Sequence, residues 1–398
     1  MINNLSFYPT IAGSLKSSVD VDSWEKVQAQ FQHADYANSV RNCINYVNPE
    51  IEKKFANADK TEYNVPHGSI IVNVKITATE FIVSAPFLDI TNAKQIPVLR
   101  QVVQLNFSPL VLSHIDLEAD KLYFRFSCPL ENCEPFKVYD VLREICISAD
   151  NYDDEFIAKF NAVRIQEPKV YQYAQEEKDE VWNTIQLYIK EAFEGYEQLE
   201  NKRLNTYLWD ILVITLLKID YYCAPQGNIR SEIEKAIINL NSKDEYYQKL
   251  SGGKEFLKKL QNYDKIKFEK DLYKIETFVP YKYRTTLESV RNTFKTPYEN
   301  AESEMKAKDY IGATFTLEYA IFNFLYNNNL EDSIAHILTL ALQNSSGKPM
   351  QETSQILYDA VKKIMTTDDF IAPISAPIKQ EIESDKKEKK GFFSKFFG

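Results

Sequence analysis

Between Ile70 and Phe87 apolar side chains fall at every second position in two runs parted by Thr77-Ala78-Thr79-Glu80. Ile70, Val72, Val74 and Ile76 alternate with Asn73 and Lys75, and Phe81, Val83, Ala85 and Phe87 continue the pattern. A two-residue period places successive side chains on opposite faces of an extended chain, so each run predicts a strand with one covered face. The pair reads as a hairpin, with Pro86 marking the end of its ladder or an edge position because proline has no N–H to donate.

The surrounding segments fit a layered α+β module. A helix is expected from about Val21 to Val47, where Trp24, Val27, Phe31, Tyr36, Val40, Cys43 and Ile44 recur near a 3.6-residue period, with Asp20 or Asp22 as cap. A short helix follows from Pro97 to Leu105, with Val98, Leu99, Val102, Val103 and Leu105 on its packed side. Strands from about Pro109 to Leu117 and Lys121 to Cys128 meet at the turn Glu118-Ala119-Asp120. In the second of these Leu122, Phe124 and Phe126 point one way and Tyr123, Arg125 and Ser127 the other, which makes Tyr123 and Arg125 candidate partner-binding residues on an uncovered face. A helix from Pro135 to about Ile147 closes the module, with a cap or break at Asp150 before a further turn through Phe156 and Phe160.

From about Gln175 to Thr367 helix formers dominate, punctuated by Gly227, Gly252-Gly253, Pro280, Pro297 and Ser345-Ser346-Gly347. The fold class expected is an α+β domain with an antiparallel sheet and flanking helices, followed by an all-α domain. Its divisions are residues 1–170, 171–370, and a flexible linker with a phenylalanine-rich tail over 371–398. Within the helical part, Ala301 to Phe324 has the form of one tetratricopeptide-type hairpin bending at Ala307-Lys308-Asp309-Tyr310, but no second copy follows at the repeat period, and an ordinary helix pair is the preferred reading.

Charge and composition narrow the function. A formal charge of −10 argues against a nucleic-acid binder, which needs clustered Lys and Arg to neutralise phosphates. The first twenty residues lack a basic leader and a continuous apolar core, so the mature protein is expected to start here. The most apolar run, Tyr207 to Tyr222, is interrupted by Asp210, Lys218 and Asp220 and is expected as a buried helix rather than a membrane span. Five cysteines without a dense framework suit a reducing cytoplasm. Cys128 and Cys133 lie close in the chain, with Cys146 and His114 further off, yet the spacing favours buried thiols over a metal site. The acidic cluster Asp150, Asp153, Asp154 and Glu155 lacks the alternating ligands and central glycine of a calcium loop and reads as helix capping and solvated charge. Phosphate-binding glycine loops, HExxH and GxSxG are all missing from the sequence, and the pairing of Cys146 with His114 is not fixed by sequence. No enzyme activity, cofactor, metal or catalytic residue is expected.

The leading helix, the hairpin ending in Ala85-Pro86-Phe87-Leu88, the segment Leu99-Arg100-Gln101-Val102-Val103-Gln104-Leu105-Asn106, and the strand Leu122-Tyr123-Phe124-Arg125-Phe126 together resemble bacterial type III secretion chaperones and their YbjN-like relatives. The likeness is of element order over residues 67–163. It implies a non-enzymatic protein that often dimerises and holds an extended segment of another protein against an apolar groove or sheet edge. The large helical domain and the tail depart from that family.

The chain ends in a charge-dense segment and then Gly391-Phe392-Phe393-Ser394-Lys395-Phe396-Phe397-Gly398. At 100° per residue Phe392, Phe393, Phe396 and Phe397 span an arc of about 140°, one face of a short helix. Burying each ring contributes roughly 1.5–3 kcal/mol, while ordering each residue costs roughly 1–2 kcal/mol, so the tail is expected to be a weak reversible anchor. A partner groove, a membrane surface helped by the lysines, and the protein's own body are its three expected seats. The reading as a whole is a cytoplasmic adaptor or chaperone-like protein that binds another protein. The alternative is a peripheral scaffold at the inner face of a membrane.

Overall fold

A computed structural model describes residues 3–11, 23–167 and 170–367. In chain order the main elements are α1 (Trp24–Gln32), α2 (Tyr36–Val47), α3 (Ile51–Phe55), β1 (Glu62–His67), β2 (Ile70–Ile76), β3 (Glu80–Asp89), α4 (Gln95–Phe107), β4 (His114–Glu118), β5 (Lys121–Pro129), α5 (Pro135–Phe160) and β6 (Val163–Arg164). Helices follow: α6 (Gln175–Asn201), α7 (Leu208–Cys223), α8 (Gly227–Leu240), α9 (Tyr246–Gln261), α10 (Lys265–Lys270), α11 (Leu287–Lys306), α12 (Tyr310–Asn327), α13 (Asp332–Ser345) and α14 (Met350–Thr366). The fold is therefore α+β followed by a helical region, as the sequence predicts.

The sheet has the order β1-β2-β3-β5-β4, with β6 joining β3 beside its far end, and every pairing is antiparallel. The expected hairpin is β2 and β3, in register Asn73 to Ser84 and Ile76 to Phe81. Pro86 does not end its strand. β3 runs on to Asp89, and the register with β5 shifts between Pro86 and Leu88, a bulge that turns the successive side chains of Phe87 and Leu88 both inward. The strand β1 is absent from the sequence reading. Its buried positions are Tyr63, Val65 and His67, a two-residue period disguised by a histidine in the third place and by Pro66, which an edge strand tolerates.

Two expected helices change their limits. The one over 21–47 divides at Ala34, whose φ of 61° lies in the left-handed region, giving α1 and α2. The one expected to stop near Ile147 runs on to Phe160, 26 residues in all, and is capped by Asn161, whose φ is 59°. It starts where Pro135 occupies the first turn and the Glu134 carboxylate accepts the Lys137 N–H at 3.2 Å. Along α5 the side chains of Val138, Val141, Leu142, Ile145, Cys146, Ala149 and Phe156 are buried in one core with Val72, Val74, Phe81, Val83, Phe87 and Phe124 of the sheet.

Contacts group the chain into two compact units. Among the described residues the larger holds 8–11, 23–167, 170–284 and 322–329, so that α6 to α10 belong with the sheet although composition alone suggests a division at residue 170. In it α7 is buried on nearly all sides, as expected of the most apolar run. The smaller unit takes residues 3–7, 285–321 and 330–367 among those described. The bend between α11 and α12 falls where the sequence places it, with Lys308 at a φ of 62° and Asp309 Oδ1 accepting the Gly312 N–H at 2.9 Å.

Candidate functional site

The face of the sheet opposite α5 carries the candidate residues Tyr123 and Arg125, and both are half-buried. Register aligns Asn64, Asn73, Ser84, Arg125 and His114 in one row across five strands, so the face is polar along this line. Arg125 is already engaged there. Its Nη2 donates to Glu118 Oε2 at 2.5 Å, its Nε lies 3.8 Å from Asp116 Oδ2, and its guanidinium stands 5.3 Å from the Tyr123 ring. Pairs as exposed as these contribute about 0–1 kcal/mol each, so they orient the guanidinium rather than hold the fold.

The rim at β4 is closed where an added strand would first bond. Ile115 stands opposite Phe124 in the ladder, and its own N–H and C=O are taken by a side chain. The Ile115 N–H donates to Asn106 Oδ1 at 2.7 Å, and Asn106 Nδ2 donates to the Ile115 carbonyl at 3.0 Å. One carboxamide thus copies the two-bond pattern of a neighbouring strand. Just before β4 the Glu144 carboxylate collects the N–H groups of Val111 at 2.8 Å, Leu112 at 3.1 Å and Ser113 at 2.7 Å, together with the Ser113 hydroxyl at 2.7 Å. Charge-assisted bonds of this kind fix the loop from α4 into β4.

What the rim lacks in free backbone it has in apolar surface. Ile96, Val103 and Phe107 on α4 are 68%, 69% and 90% exposed, and Val111 in the following loop is 84% exposed. At 3.6 residues per turn, Ile96, Arg100, Val103 and Phe107 fall within an arc of about 60°, whereas Val98, Val102 and Leu105 fall on the opposite side. Those three are buried. The sequence reading placed Val103 with them on the packed side; the structure places it outside. The helix is apolar on two opposed faces, one for the core and one with nothing of the described residues over it.

A second cluster is internal and was missed by the sequence. Asp150 on α5 is buried, and both its oxygens are occupied. Oδ1 accepts the Ser69 N–H at 2.6 Å and its hydroxyl at 2.9 Å; Oδ2 accepts the Tyr281 hydroxyl at 2.6 Å and Arg230 Nη1 at 3.2 Å. Burial alone would push this carboxyl up, but the charge of Arg230 and the donated hydrogen bonds outweigh it and hold the pKa below the ordinary value. The Arg230 guanidinium lies 4.2 Å from the Tyr281 ring, and the His67 ring packs on the same tyrosine at 4.7 Å. His67 Nδ1 accepts the Phe278 N–H at 3.1 Å, which leaves the proton of the neutral ring on Nε2, an atom with no hydrogen-bond partner among the described residues. Burial lowers its pKa to about 4.

Asp153, one turn further along α5, touches the Ser69 hydroxyl and accepts Arg164 Nε at 2.8 Å, while Arg164 Nη2 reaches Asp154 Oδ1 at 2.5 Å. Burial and the neighbouring charge of Asp154 push Asp153 up to about 7 against the pull of Arg164. The Ser69 hydroxyl lies within hydrogen-bond reach of both Asp150 Oδ1 and Asp153 Oδ2, so one hydroxyl serves both acids. The acidic cluster read as solvated capping is therefore a buried polar knot joining the β1–β2 turn, α5, α8 and the segment around Tyr281. Its polar groups are turned on one another, which suits a fastening between layers better than a reaction centre.

Other sequence candidates separate. Cys146 is wholly buried and its thiol is held protonated by burial, while His114 is exposed on β4 beside Asp116, 3.3 Å away. Among the described residues, three or more His, Cys, Asp or Glu side chains are nowhere arranged to hold a metal ion, and no helix is long and apolar enough to cross a membrane. Phe392, Phe393, Phe396 and Phe397 lie outside the described residues. Set against family models and curated proteins, the chain matches none.

Proposed function

We propose that this is a non-enzymatic adaptor or chaperone-like protein that binds another polypeptide through the outer stripe of α4 and the adjoining loop. The observation that carries the reading is the exposure of Ile96, Val103, Phe107 and Val111 together, next to a rim made rigid by Asn106 and Glu144. A patch of this kind on a helix whose other side is fully packed has a binding use rather than a folding one. The occupant that suits it is a partner segment with apolar side chains at helical spacing, since the rim at Ile115 withholds the backbone groups a strand would need. Tyr123 and Arg125 form a separate polar face, which supplies orientation and charge. The resemblance to type III secretion chaperones and YbjN-like proteins agrees with this role in kind. The tail supports a second reading, a scaffold at a membrane surface, on its four phenylalanines and its lysines.

The test compares the full chain with the double variant Val103→Asp and Phe107→Asp in affinity purification followed by mass spectrometry, with the captured protein then titrated in purified form. Loss of that binding with an unchanged melting curve is the expected result. Binding that persists at undiminished affinity overturns the α4 surface. Removal of residues 392–398, assayed on liposomes of anionic and neutral lipid, decides the membrane reading separately.

A further inference from the structure

Cys128 at the end of β5 and Cys133 just before α5 are free thiols whose sulfurs stand 3.3 Å apart. The other three cysteines, Cys43, Cys146 and Cys223, are buried singly in the core. Cys133 is also buried, and its Sγ is directed at the Pro129 carbonyl at 3.4 Å, which holds it in the turn facing Cys128. Cys128 is only partly covered. An S–S bond is about 2.05 Å long, so closing the pair from 3.3 Å requires an approach of about 1.3 Å. The arrangement is one accessible sulfur with a buried second sulfur already at contact distance.

We propose that Cys128 and Cys133 form a reversible oxidation site, with Cys128 the sulfur that attacks a peroxide and Cys133 the sulfur that resolves it into an internal disulfide. In the first step the Cys128 thiolate attacks one peroxide oxygen, the O–O bond breaks, and Cys128 becomes a sulfenic acid as the first water leaves. In the second, Cys133 attacks the Cys128 sulfur, the S–O bond breaks, and the second water carries away the oxygen with the remaining thiol proton. Two thiols lose two electrons in all, and hydrogen peroxide takes them to become two waters. A dithiol reductant reverses the change by thiol–disulfide exchange. Burial raises the Cys133 thiol pKa, followed by the contact with Cys128. That works against attack by Cys133, and the contact distance of 3.3 Å offsets it by proximity. The bond would tie the end of β5 to the turn that leads into α5.

The experiment treats the folded full chain with hydrogen peroxide, then denatures it, alkylates free thiols with N-ethylmaleimide and reads the intact mass and the peptides. The expected result is a fall from five alkylated cysteines to three, a peptide linking Cys128 to Cys133, and recovery of five after dithiothreitol. In Cys133→Ser the Cys128 sulfenic acid persists and is trapped by dimedone. In Cys128→Ser, a change at a partly covered position, all four remaining thiols survive the same treatment. Five thiols left in the wild type under peroxide that oxidises free cysteine in the same solution would overturn the proposal. A link through Cys43, Cys146 or Cys223, or a peroxide-treated Cys128 carrying sulfinic acid without the internal bond, would overturn it equally.

Discussion

Gly68 faces Asp150 so closely that a Cβ at Gly68 would lie 1.8 Å from Asp150 Oδ1. The glycine has a φ of +58°, where an L side chain is strained, and the carboxylate it approaches is held from four directions and has no free rotamer to retreat to. Gly68→Ala is expected to destabilise the larger unit by about 2–3 kcal/mol, from backbone strain plus the displaced carboxylate. Urea unfolding followed by the near-ultraviolet signal checks it; a midpoint equal to wild type would show that the turn relaxes freely.

The acid at the centre of the knot is the acceptor shared by Ser69, Tyr281 and Arg230. Asp150→Ala leaves the Tyr281 hydroxyl without its acceptor and the Arg230 guanidinium with Glu234 alone, an expected loss of about 3 kcal/mol. The double change Asp150→Ala with Arg230→Met, which takes away both charges, is expected to recover part of that loss. Equal destabilisation by the single and double variants would mean that the pair is not coupled.

His67 and Asp153 titrate across the same range with opposite effects on folding. The His67 pKa is lowered by burial from 6.5 to about 4, so the unfolded chain binds a proton that the folded one refuses; this group's contribution is full above 6.5 and is lost as pH falls towards 4. Burial raises Asp153 from 3.8 to about 7, so the folded chain keeps a proton that the unfolded one releases; its contribution is full below 3.8 and is lost as pH rises to 7. Relative to wild type, His67→Gln is expected to tilt the profile towards lower stability at the high-pH end of this window, and Asp153→Asn towards higher. Denaturation midpoints measured across the window check both signs, and two variants with the wild-type profile would refute them.

Asn106→Ala strips the amide from Ile115, whose N–H and C=O lie at the rim of β4. The expected cost is about 1–3 kcal/mol for the groups left without partners. Since an unpaired strand edge is a template for other chains, the variant is also expected to self-associate at concentrations where the wild type scatters no light. Static light scattering and a thermal melt separate the two effects; a variant unchanged in both would show that water replaces the amide at no cost.

Much of the fold is legible in the sequence because it depends on local periods. The β2–β3 hairpin, the alternation along β5, the buried α7 and the bend at Lys308 each follow from residues within one or two turns of one another. β1 escaped because His67 takes an apolar residue's place and Pro66 suggests a break, although its neighbours supply the pairing. The outer stripe of α4 follows the same period, since Ile96, Val103 and Phe107 share one side, but the adjacent Val102 and Val103 look alike in sequence and only the core beneath distinguishes them. The knot was not legible at all. Asp150 reads as a cap until Arg230 and Tyr281 are brought to it from 80 and 131 positions along the chain. Local pattern carries no information about such a meeting.

A helix with apolar residues on two opposite sides, here with Arg100 alone among the outer ones, has little contrast in polarity to settle its roll about its own axis, and for α4 half a turn would exchange Val98, Val102 and Leu105 for Ile96, Val103 and Phe107. Asn106 removes that ambiguity, because its clasp on Ile115 can be made at only one angle of rotation. The amide at its last turn thereby helps to decide which residues the helix shows to the outside and which it keeps.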